Sequence, residues 1–88
     1  MSTFLKDPDA VLDYAFDWTA WLDDGETISS HTVTVDGLTK DSDAENGGVV
    51  TVWLSGGTDG QEASAACLIE TSAGRTDERT IVLRVRER

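Results

Sequence analysis

The 88-residue sequence contains one cysteine, one histidine and one proline, and seven basic residues stand against seventeen acidic ones. A single cysteine, Cys67, excludes an internal disulfide, so stability must come from packing or from partners. One cysteine and one histidine, His31, cannot fill the four positions of a structural zinc site. With a formal charge of −10, the chain lacks the Lys and Arg that phosphate contacts require, which argues against a nucleic-acid partner. Apolar runs fall far short of the roughly 20 residues that span a bilayer. The start, MSTFL, has neither a basic region nor a long apolar stretch. A soluble, cytoplasmically synthesised protein without a membrane partner is expected.

What is present points to a folded domain. Hydrophobic residues make up 39% of the chain, and Trp18, Trp21 and Trp53 would be unusual in a disordered segment. A single domain this short buries only roughly 60–65% of its unfolded surface, which leaves little room for a deep internal site. Residues 1–45 hold eleven acids against Lys6 and Lys40, whereas the second half is nearly neutral and ends in an alternating Arg84, Arg86, Arg88. An acidic body with a basic stripe suits head-to-tail contact between copies.

The periodicity is that of strands. Residues 11–18 (VLDYAFDW) alternate, placing Leu12, Tyr14, Phe16 and Trp18 on one face. The turn at Asp7-Pro8-Asp9 separates an N-terminal arm, residues 1–8, from a sandwich domain, residues 9–88. Removal of residues 1–6 is expected to leave that sandwich intact. Asp17 is placed to cap one helical turn that folds Trp21 and Leu22 over the core and closes at Gly25. Further strands are expected over 27–35, 49–54, 63–71 and 80–86, and residues 40–48 read as a polar loop. Val49, Thr51 and Trp53 opposite Val50, Val52 and Leu54 suggest a central strand buried on both sides. Strands separated by Gly/Asp turns make an all-β, small antiparallel sandwich.

Chemistry-bearing patterns are sparse. A His31/Cys67 nucleophile pair would require two separate strands to bring the residues together, and both are more readily explained as packing and edge residues. Residues 41–47 (DSDAENG) alternate oxygen donors as a calcium loop does, but Gly falls one place late and Val52 stands where a bidentate Glu is needed. Only a looser metal site over residues 41–46 stays open. The run Gly56-Gly57-Thr58-Asp59-Gly60 lacks a phosphate-loop ending and reads as a turn. Among Tyr14, Phe16, Trp18, Trp21 and Trp53, most must supply the core, and one left exposed would serve as a partner anchor or sugar platform. Neither a catalytic constellation nor a cofactor site is assembled by these residues.

The ordered segments DPDAVLDYAFDWTAWLDDGETI, VTVWLSGG and IETSAGRTDERTIVLRV resemble a family of small proteins encoded in tailed-phage and prophage structural gene clusters, described as fiber-tail adaptors or tail-associated proteins. The resemblance covers most of the chain. It implies an immunoglobulin-like β-sandwich of six to seven short strands that packs between virion proteins, without catalytic residues or cofactors. Its implied partners are tail, fiber or head–tail connector proteins, with several copies in a ring, in a virion assembled in a bacterial host. Two positions depart from the pattern: His31 and the segment 62–64 (EAS) stand where aromatic residues are expected. Partner contacts are expected at Phe4 and Leu5 of the arm, at Trp21, and at Arg84, Arg86 and Arg88. A second reading is an acidic inhibitor or DNA mimic acting on a basic host protein.

Overall fold

A computed structural model describes residues 2–87. Seven strands follow one another: β1 (Ser2–Lys6), β2 (Leu12–Asp17), β3 (Ile28–Asp36), β4 (Thr39–Asn46), β5 (Val49–Ser55), β6 (Glu62–Thr71) and β7 (Thr76–Val85). They form a four-stranded sheet of order β1-β7-β6-β3 and a three-stranded sheet of order β2-β5-β4. The two sheets make a small all-β sandwich, and no helix occurs among the described residues. β1 lies parallel to β7 and every other pair is antiparallel.

Alternation in the sequence becomes the core because successive side chains of a strand point to opposite faces. β5 buries Val50, Val52 and Leu54; β6 buries Ala63, Ala65, Cys67 and Ile69; β7 buries Ile81, Leu83 and Val85. Trp18, the largest fully buried side chain, closes one end of the core, with Phe16 beside it. The small Ala63 and Ala65 let the opposite sheet approach, and Leu68 takes the outer face at 41% exposure.

The turn after β2 forms as its residues direct. Asp17 Oδ1 accepts from Thr19 N–H (3.0 Å) and Oγ1 (2.6 Å), and Trp18 O accepts from Trp21 and Leu22 N–H. That single turn packs Trp21 and Leu22 on the core.

Two expectations are corrected. Residues 40–48 are not a loop: most of them form β4, laddered to β5 with a bulge between Lys40 and Ser42. A backbone ladder needs no apolar side chains, and an edge strand with mostly exposed residues carries no hydrophobic alternation to reveal it. β5 is central in its sheet, yet fully buried on one face only: on the other, Val49 and Thr51 are half-buried and Trp53 stays 43% exposed.

Candidate partner-binding surface

Residues 2–6 of the expected arm are β1, seated on the edge of β7 with Ser2 opposite Ile81 and Lys6 opposite Val85. Lys6 is the anchor. Its stem is buried, and its Nζ donates to Gly56 O (2.7 Å) and Asp7 O (2.9 Å). Burial pushes the ammonium's pKa below the usual lysine value. The neighbouring Phe4 and Leu5 remain 40% and 56% exposed. Phe4 turns toward the opposite sheet and tilts against Tyr14, ring centroids 5.3 Å apart.

Leu5 emerges on the outer face, where its register partner is Arg84, and Arg84 pairs loosely with Glu62 at 3.6 Å. Arg86 continues the line: its N–H donates to Lys6 O (2.9 Å) and the residue is exposed. Leu5, Arg84 and Arg86 are thus brought together at one end of the four-stranded sheet, and Arg88 lies outside the described residues. Sequence reasoning missed Val11 and Leu12, exposed at the start of β2. Leu12 shares the period-2 face of Phe16, but the core ends before reaching it.

Trp21 belongs elsewhere. It meets Trp18 edge-on at 5.4 Å, and the Arg75 guanidinium lies 4.0 Å over its ring. The length of β7 separates Arg75 from Arg84 by roughly 30 Å. Arg75 is clasped by Glu26, which also accepts from Thr71 Oγ1 (2.5 Å). Hydrogen bonds from Arg75 and then Thr71 hold the Glu26 carboxyl down at about 2. Trp21 is therefore a half-buried lid on the core, roofed by an ion pair.

A cleft of about 480 Å³ opens between the sheets where β2 faces β7, lined by Phe4, residues 15–17 and residues 78–81. Arg79 spans it: Nη1 donates to Asp17 O (2.7 Å), and the guanidinium lies 4.1 Å from the Trp18 ring centroid. Nothing in the local sequence signals this cleft, because it is made by strands sixty residues apart.

The remaining chemistry-bearing groups are engaged singly. Asp41 accepts from Ser55 Oγ, Glu45 accepts from Gly48 N–H, and Asp43 binds Lys40 Nζ (2.7 Å) and His31 Nε2 (2.8 Å). The Lys40 hydrogen bond, with His31 after it, holds the Asp43 carboxyl below the usual range. His31 thus replaces an expected aromatic with a polar link between the two sheets. No group of three potential metal ligands occurs among the described residues. Cys67 is fully buried opposite Val33, two register positions from His31, and burial raises its thiol pKa.

Residues 6–84 match the family described as podophage GP4 fiber-tail adaptor protein gp77.

The chain belongs to this family.

A fiber-tail adaptor is a structural component of the phage tail, which makes this chain a virion component that interacts with tail or fiber proteins. The matched span includes Trp21 and Arg84 and begins at the anchor Lys6, so the exposed Phe4 and Leu5 precede it. No curated protein matches the chain.

Proposed function

We propose that the chain is a non-enzymatic adaptor of immunoglobulin-like fold, packed in several copies between other proteins of the tail, fiber or head–tail connector and made in the host cytoplasm before assembly. Strand order supports the fold reading. β7-β6-β3 corresponds to the G-F-C sheet of such domains and β2-β5-β4 to B-E-D, with β1 beside G where a leading strand runs. The family match carries the functional reading. A sandwich whose two sheets end in four edge strands, β1, β3, β2 and β4, suits a protein that neighbours enclose, since edges are ready templates for pairing. Leu5, Arg84 and Arg86 form the contact proposed for the basic end; Phe4 faces the other way, toward β2. The reading of an acidic inhibitor draws no support from the family.

The test is mass spectrometry of purified particles from the phage that encodes the chain. Several copies per particle are expected. Absence of the expressed chain from intact particles overturns the adaptor reading.

A further inference from the structure

β2 is paired on one side only, with β5. Its even-numbered residues face that partner, because Trp18 N–H donates to Gly48 O, and Asp17 O points the other way to accept from Arg79. The N–H and C=O groups of Asp13 and Ala15 therefore run along an open edge beside the 480 Å³ cleft. Across the cleft, β7 has a second bare stretch among the described residues, where its ladder with β1 runs from Ile81 to Val85. That stretch is blunted at Glu78, whose N–H is taken by Asp77 Oδ1 (2.8 Å), whereas on β2 Arg79 takes only the last edge carbonyl, Asp17 O, and leaves those of Asp13 and Ala15. Of the two edges, β2 is the one left able to pair.

The geometry points to a strand-accepting site: the free edge of β2 takes an extended, basic segment of another particle protein as a fourth strand of its sheet, seating one apolar side chain between Phe4, Phe16 and Ile81. This rests on the adaptor reading, which supplies the particle partner. Charge selects the occupant. Asp17 and Glu78 line the cleft and Asp13 stands exposed on the same β2 strand, while the cation there, Arg79, is held by the Trp18 ring and Asp17 O. A segment that alternates apolar residues with Lys or Arg complements these acids. The three-stranded sheet of a second copy does not, because its open edges carry Asp13 and Asp17 on β2 and Asp41, Asp43 and Glu45 on β4, which would set like charges opposite one another.

The probe is a short synthetic peptide alternating lysine and valine, with a glutamate–valine peptide as its control, added to the full chain and followed by amide hydrogen exchange. The lysine peptide is expected to slow exchange at Asp13 and Ala15 about tenfold or more, with the effect weakened by salt and absent for the control. Ala15→Pro deletes one edge donor where proline is tolerated, and should lower affinity about tenfold. Asp13→Lys keeps the backbone and should reverse the preference between the peptides. The site is overturned by unchanged exchange at Asp13 and Ala15, by protection on β4 or β7 instead, by unaltered binding to both variants, or by self-association that protects the same amides. Incorporation separates the two levels. Both variants entering particles as well as wild type would remove this site and leave the adaptor standing, whereas wild type missing from particles would remove the adaptor itself.

Discussion

Lys6 Nζ donates to the carbonyl of Gly56, fifty residues away, at 2.7 Å. One side chain therefore fastens the first strand to the β5–β6 turn, and residues 2–6 cannot be removed without unplugging it. Lys6→Ala discards both the buried stem and the carbonyls' donor, and should cost about 2–3 kcal/mol. Lys6→Met keeps the stem and relieves the desolvated ammonium, so a loss of only about 1 kcal/mol is expected. Urea denaturation of both variants checks the order. A Lys6→Met protein more stable than wild type would show that desolvation outweighs the two hydrogen bonds. The expectation that the sandwich stands without residues 1–6 gives way to one of measurable destabilisation.

Glu26 governs the acid side. Its carboxyl titrates at about 2 in the fold against an ordinary 4.5. Between those values the unfolded chain binds a proton that the folded chain does not, so stability rises with pH through that window and is lost as pH falls from 4.5 toward 2. Asp43 and Asp17 are shifted in the same direction. Glu26→Gln should lower stability at neutral pH and flatten the slope in this window, as read by thermal melts from pH 2 to 5. An unchanged slope would assign the acid sensitivity to the other carboxylates.

The strands with apolar alternation were legible because burial writes a period of two into the sequence: residues 50, 52 and 54, or 81, 83 and 85, announce both the strand and its inner face. β4 was not legible, since Asp, Ser and Glu on an edge strand satisfy the backbone ladder and leave no hydrophobic trace. β1 was hidden differently. Its fully buried residue is a lysine, which reads as solvent-facing until the carbonyls of Asp7 and Gly56 are seen around its Nζ. Of the contact surface, Leu5 beside Arg84 depends on parallel pairing between the two ends of the chain, and no local spacing encodes that register. Trp21 was legible as an aromatic near a turn; its cover by Arg75 was not.

Gly57 holds a backbone that other residues resist. Its φ is 103°, and a Cβ there would lie 2.9 Å from Val85 Cγ2 and 3.3 Å from Leu38 Cδ2. Gly57→Ala combines left-handed strain with a clash against the core and should cost about 2–4 kcal/mol. Gly47, with φ 60° and open space around it, meets the conformational penalty alone, so Gly47→Ala should cost about 1 kcal/mol. Equal losses in the two variants would mean that Val85 and Leu38 yield without strain.

The basic end offers a separation of binding from folding that Trp21 does not. Arg84 and Glu62 are more than half exposed and 3.6 Å apart, a geometry in which an ion pair contributes about 0–1 kcal/mol. Reversing Arg84 and Arg86 to Glu should therefore leave the melting temperature within a few degrees of wild type. If these residues meet an acidic neighbour in the tail, incorporation into particles should fall sharply all the same. Trp21→Ala would strip the Trp18 contact and the Arg75 stack, costing about 2–3 kcal/mol, so its absence from particles would report instability as readily as a lost contact. A double arginine variant that folds as wild type and enters particles at wild-type copy number would exclude this end of the sheet as the contact.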